Sequence, residues 1–472
     1  MSGLNRSLGL YDVISLVIGT IVGADIYIAA SFGAGLLGPF SVFAWVIAGV
    51  MAIIIALCFA ECSSRVPQVG GPYAYSKRAF GKFTGFLVGW SLLIASWSAI
   101  AVFPLAFVAY LEFFIPNMSP VLIIIIKILF VLFLTVVNYF GVREAGKLND
   151  ILTILKIAPI LILTIAGIIF FILKPAILIA NFTPIAPLGI TGLGSAIVLI
   201  FWAYVGFELV TVPSDEIVNP QKTIPLAIGI GMAVIALFYV LTNFVILGLV
   251  PWEQLSTSTA PLALAGFAIL GAVGATFLTF GALLSISGSD EAGILSAARI
   301  PYAMAADGYL PRVLAKVHPK YETPYVALII QSLVTLIATI FGSISQLIIL
   351  SVFTLLFCYL LTCMSVFPLR KKFPKGIKLP WIVPVLGIII SVYIMSQCNI
   401  NQIIIGTALI LVGIPVYILF APKTEIKTVR RDLRLGEDYV SQTIERDEIF
   451  LANFIKQVRT LVIKIKEFVG NG

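Results

Sequence analysis

The chain has 472 residues, of which 60% are hydrophobic and only 11% charged, with a mean hydropathy of +1.10. That balance excludes a soluble globular domain and a disordered chain, and it describes a polytopic membrane protein. The formal net charge of +8 needs no nucleic-acid partner, because the positive charges cluster in alternate loops.

Apolar runs of about 20 residues, each long enough to cross a hydrocarbon core as a helix, recur from end to end. About twelve are expected, centred near Gly23, Ala52, Ser98, Leu129, Leu161, Leu199, Ala236, Leu283, Thr335, Leu355, Ile389 and Leu409. The first run continues into Gly33-Ala34-Gly35 with no small-residue cleavage site before a polar region, so it is expected to stay as a span. Within it, Ile18-Gly19-Thr20-Ile21-Val22-Gly23-Ala24-Asp25-Ile26-Tyr27 sets an acid among glycines. A carboxylate near the bilayer centre costs a few kcal/mol on insertion scales and persists where water, a partner or a ligand meets it. Each glycine weakens a helix by up to about 1 kcal/mol, so local unwinding here is easy. The pair points to a solute site; the alternative is an acid tolerated beside a water-filled crevice.

Between the second and third spans, Pro67 and Gly70-Gly71-Pro72 mark a turn or re-entrant piece. The fifth span carries Lys156. Desolvation would depress the pKa of an unpaired ammonium there, making it a proton carrier; the alternative is a lysine that snorkels to the headgroups. The sixth span, Leu199-Ile200-Phe201-Trp202-Ala203-Tyr204-Val205-Gly206-Phe207-Glu208, again joins a glycine to an acid. Paired glycine-interrupted spans opening two halves point to an inverted-repeat transporter. The freed amide groups favour anions and the freed carbonyls favour cations, which suits a zwitterion. The eighth span holds adjacent acids, Asp290 and Glu291, and Gly308 to Pro324 is a second proline-punctuated loop. Glu61 and Lys127 read as membrane-boundary residues.

Two domains are expected: a transmembrane unit over residues 1–421 and a charged cytoplasmic tail over 422–472. In the tail, Ile449, Phe450, Leu451, Phe454, Ile455, Val458, Leu461, Val462, Ile465 and Phe468 recur at helical spacing among Lys456, Arg459, Lys464 and Lys466. Such a basic amphipathic helix lies on the inner leaflet or docks on the protein's own cytoplasmic face. The positive-inside rule sets orientation. Arg6, Arg65, Lys77, Arg78, Lys82, Arg143, Lys147, Lys222, Arg312, Lys316, Lys320 and the Arg370 to Lys378 cluster fall in alternate loops, so both termini are expected in the cytoplasm. The five cysteines sit in apolar sequence without a C-x-x-C spacing and read as packing residues. With one histidine, neither a metal site nor a cofactor is expected.

Several segments together resemble the amino acid-polyamine-organocation (APC) superfamily, amino acid permease type, over roughly residues 5 to 420. They are Gly23-Ala24-Asp25-Ile26-Tyr27; Ala60-Glu61-Cys62-Ser63-Ser64-Arg65-Val66-Pro67 with Gly70-Gly71-Pro72-Tyr73; Phe201 to Glu208, continuing through Glu216-Ile217-Val218-Asn219-Pro220 to Ile224-Pro225; and Arg299-Ile300-Pro301-Tyr302-Ala303-Met304 with Asp307-Gly308 and Pro311. The resemblance implies an all-α membrane protein of about twelve helices, a leucine-transporter-type 5+5 inverted repeat plus two helices, working by alternating access. Carried over, the backbone of Ile21, Gly23, Ala24 and Asp25 and that of Ala203, Tyr204 and Gly206 would line the substrate site, with Trp202 as an aromatic gate or a packing aromatic. Lys156 looks like an occupant of the place where sodium-driven relatives bind their cation. Lys156, Glu208, Asp290 and Glu291 are the expected proton-coupling groups.

Asp25 and the Asp290-Glu291 pair depart from the family's usual small or polar residues. A carboxylate beside the place of a substrate carboxylate either biases the site toward cationic solutes or pairs with Lys156 to leave it neutral. The expected function is secondary active transport of amino acids or related amines across the cell membrane, proton-coupled and sodium-independent, by a monomer or weak homodimer. The rivals are an exchanger and a transporter-like sensor. An intramembrane enzyme lacks support, since neither H-E-x-x-H nor G-x-S-x-G is present.

Overall fold

The computed structural model describes residues 8–68, 70–140, 142–212, 214, 217–321 and 323–422. The amphipathic helix expected in the tail lies outside them. The described helices are α1 (Leu10–Ile21), α2 (Ala24–Leu37), α3 (Ser41–Arg65), α4 (Pro72–Phe80), α5 (Lys82–Ile100), α6 (Val102–Leu111), α7 (Pro120–Phe140), α8 (Val142–Leu173) and α9 (Pro175–Asn181). They continue with α10 (Leu193–Phe201), α11 (Pro220–Leu249), α12 (Trp252–Thr257), α13 (Pro261–Ala306), α14 (Tyr325–Phe341), α15 (Ile344–Lys372), α16 (Ile382–Ser396) and α17 (Ile400–Phe420). Among the described residues the only β pairing is an isolated bridge between Leu8 and Ile217.

Local chemistry sets many of the ends. Pro72 occupies the first turn of α4 behind a left-handed Gly71 (φ 49°), where a missing amide proton does no harm. Ser343 and Gln346 form a capping box at the start of α15, and Asn399 accepts the Gln402 amide at the start of α17. These bonds satisfy amides that a helix start leaves open. By length and composition, nine described helical stretches can cross a membrane, with α2 and α3 counted as one 42-residue stretch. The shorter apolar helices α1, α14 and α16 supply the rest of the expected twelve spans. Outward-facing apolar residues on several helices, including Phe133 of α7, Ile172 of α8, Val273 of α13, Phe341 of α14 and Leu419 of α17, are exposed, as a lipid-facing surface requires.

Packing follows a repeated plan. α3 lies along α11 and α7 along α14; α1 packs on α11 as α10 packs on α3; α5 packs on α15 as α13 packs on α8. Exchanging spans one to five for six to ten converts each contact into its counterpart. Five spans is an odd number, so the second unit enters from the opposite face, which makes the repeat inverted. α16 and α17 stand outside this exchange, against α15.

Glu61, expected at a membrane boundary, is fully buried at the end of α3. It accepts bonds from Arg65 (3.0 Å), Arg370 (2.6 and 2.8 Å) and the Leu379 amide (3.2 Å). It ties α3 to the α15–α16 connection and is a structural clamp rather than a headgroup contact. The five cysteines are all buried and free, in agreement with a packing role.

The two interrupted spans meet at backbone level. α10 gives way to a 3-10 turn at Trp202–Tyr204, Val205 is extended, and Gly206 takes φ +128°. A Cβ on Gly206 would lie 2.9 Å from the Thr20 carbonyl oxygen of α1. Gly206→Ala should therefore lower stability by about 1–3 kcal/mol, read as a lower melting midpoint of the detergent-solubilised protein. Gly229→Ala in α11, where an added Cβ meets nothing within 4 Å, should leave the midpoint unchanged or raised.

Candidate substrate site

A helix broken inside a membrane leaves amides and carbonyls that neither water nor lipid satisfies. At the first break, Val22 is extended and Gly23 (φ −141°, ψ −145°) precedes α2. The protein supplies the missing partners itself. The Gly23 amide donates to Asp25 Oδ1 at 2.7 Å, and the Tyr239 hydroxyl from α11 donates to Asp25 Oδ2 at 2.8 Å. Lys156 Nζ donates to the Gly19 carbonyl at 2.5 Å, and Ser289 Oγ of α13 donates to the Val22 carbonyl at 3.1 Å.

The second break repeats the device. The Gly206 amide donates to Glu208 Oε2 at 3.0 Å, and the Tyr359 hydroxyl from α15 donates to the same oxygen at 2.6 Å. In both spans an acid two residues beyond the glycine folds back on the glycine amide and takes a tyrosine from another helix. Asp25 and Glu208 are both buried.

A small cavity of about 100 Å³ lies where the breaks face α5, α13 and α15. Of the residues expected at the site, Ile21, Gly23, Asp25, Trp202, Gly206 and Glu208 line it. Trp202 sits edge-on to Phe103 with ring centroids 6.3 Å apart. Ala24, Ala203 and Tyr204 do not line the cavity. They occupy the far side of their turns, where Tyr204 donates to the Trp45 carbonyl of α3 at 2.9 Å.

Lys156 is fully buried and does not snorkel. Its ammonium bridges Gly19 and Ser289 Oγ (3.2 Å), which ties α1 to α13 behind the cavity wall. The ion pairs among the described residues are Glu61 with Arg65 and Arg370, and Lys77 with Asp307. Among the described residues Lys156 thus has no carboxylate within 4.0 Å, which goes against its pairing directly with Asp25 or the α13 acids. Asp290 and Glu291 are buried in α13 but outside the cavity lining. Both Asp290 oxygens and Glu291 Oε1 lack a hydrogen-bond partner among the described residues.

Tyr239, Tyr359 and Ser289 were absent from the expected site. The shared spacing, Gly23-x-Asp25 and Gly206-x-Glu208, was the available signal for the caps; nothing local marks the tyrosines. Tyr239→Phe and Tyr359→Phe keep the ring and remove the donor. Each should lower stability by about 1–3 kcal/mol, measured as a drop in melting midpoint, and the two losses should add, because the caps share no atoms.

Comparison with known proteins agrees with this architecture. The family model described as amino acid permease matches residues 8–421. The chain is 28% identical over 446 residues to the branched-chain amino acid permease of Bacillus subtilis, covering 89% of this chain and 94% of that protein. It is 29% identical to the serine/threonine exchanger of the same organism, over 88% of this chain and 97% of that one. It is 31% identical to the human cystine/glutamate transporter, over 88% and 85%.

Proposed function

Because the chain belongs to the amino acid permease family, we propose that this multi-pass membrane protein is a secondary active transporter of amino acids or related amines. It works by alternating access, is coupled to protons and independent of sodium, and favours cationic solutes. Both termini lie in the cytoplasm, on the side of the positively charged loops.

The observation that carries this reading is the meeting of two glycine-broken spans at one cavity, with the Lys156 ammonium fixed on the Gly19 carbonyl behind it. Freed carbonyls at a broken span are where a coupling cation would sit. A charged lysine fills that role without sodium, and loss of its proton weakens the strap between α1 and α13. Rocking of one repeat against the other then opens the cavity to alternate sides. Asp25 and Glu208 are the acids in the lining and favour positive charge on the solute.

Lys156→Ala should abolish most of the dependence of uptake on an imposed pH gradient in proteoliposomes while preserving solute binding; unaltered proton-driven uptake would defeat the proton-carrier role. Vesicles preloaded with solute separate this reading from the exchanger suggested by one relative's name, since an exchanger stays silent when the lumen is empty. Asp25→Gly should shift preference from cationic toward neutral solutes, read from competition against labelled uptake. An unchanged selectivity profile would place Asp25 out of contact with the solute.

A further inference from the structure

Resting on the transport reading above, the geometry points to a narrower solute class: we propose that the carried molecule is an amine or guanidine without a carboxylate. A zwitterionic amino acid needs two kinds of partner, amide protons or a cation for its carboxylate and oxygens for its ammonium. Here the glycine amides at both breaks are already committed. Gly23 N–H is held by Asp25 and Gly206 N–H by Glu208, at 2.7 and 3.0 Å.

No positively charged residue lines the cavity among the described residues; its charged lining consists of those same two acids. The nearby ammonium, Lys156, faces Gly19 and Ser289 instead. An incoming carboxylate would displace an internal carboxylate from each amide it used and remain beside both. Like charges brought together in this way repel and weaken binding. In effect the protein carries its own carboxylate where a substrate's would bind.

A cationic end meets the opposite situation. A carboxylate has about four lone-pair sites, so Asp25 and Glu208 can keep their glycine and tyrosine bonds and still accept an ammonium or guanidinium. The Trp202 and Phe103 rings on the wall add faces that attract a cation. Ala95, Ala99 and Leu355 offer apolar surface to an alkyl stem. A solute of one or two cationic ends on a short stem uses every part of this lining.

Matched pairs that differ only in the α-carboxylate test the idea: lysine with 1,5-diaminopentane, and leucine with 3-methylbutylamine. Binding is measured on the full chain in lipid nanodiscs, and uptake in proteoliposomes. The amine of each pair should bind at least about tenfold more tightly than its amino acid. Asp25→Gly, and independently Asp25→Asn, should narrow that ratio by admitting the carboxylate. Equal or tighter binding of the amino acids overturns the inference, as does uptake of leucine or lysine without uptake of either amine. Those two results leave the transport reading intact, whereas binding and uptake of neither pair, nor of any other amino acid or amine, overturn both.

Discussion

The structure depends on one constraint: a helix cannot be interrupted inside a membrane unless the freed backbone groups find partners. An unsatisfied buried peptide group costs several kcal/mol, comparable to a large part of a protein's net stability. The chain meets this constraint with a carboxylate placed two residues past each interrupting glycine. Asp25 and Glu208 each bend back to a glycine amide, and Tyr239 and Tyr359 fix each acid from a distant helix. The carbonyl side of the first break is met by Lys156 at Gly19 and by Ser289 at Val22.

This solution joins stability to function. The groups that make the breaks tolerable are also the charged lining of the cavity among the described residues, so on the proposed reading the atoms that hold the resting site are those that select the solute. A chain that satisfied the first break with a small residue and left the amide open would invite a carboxylate from solution. Under the proposal, the internal acid closes that option and favours a cationic solute. The clamp at Glu61, built from Arg65 and Arg370, stands apart from this site and ties α3 to the connection leading into α16.

Much of this was legible in the sequence, and the rest was hidden for identifiable reasons. Hydropathy and length indicated about twelve spans, in line with the nine span-length stretches and three shorter apolar helices among the described residues, and glycine beside an acid located both breaks. The faces of the broken turns were not legible: a run such as Ala203-Tyr204 turns through a large angle, so part of it must face away, and Tyr204 packs on α3. The partner tyrosines lie 214 and 151 residues from their acids, among 16 tyrosines with nothing local to distinguish them. Arg370 is likewise 309 residues from Glu61, which is why Glu61 read as a boundary residue. Neighbouring acids such as Asp290 and Glu291 point about 100° apart on a helix, so their adjacency alone placed neither in the cavity.

Hydrogen–deuterium exchange of the full chain in nanodiscs tests the capped breaks most directly. Asp25→Ala should speed exchange in the peptide containing Gly23 and leave the peptide containing Gly206 unchanged; Glu208→Ala should do the reverse. Exchange at both glycine peptides that is indifferent to either substitution would contradict the account.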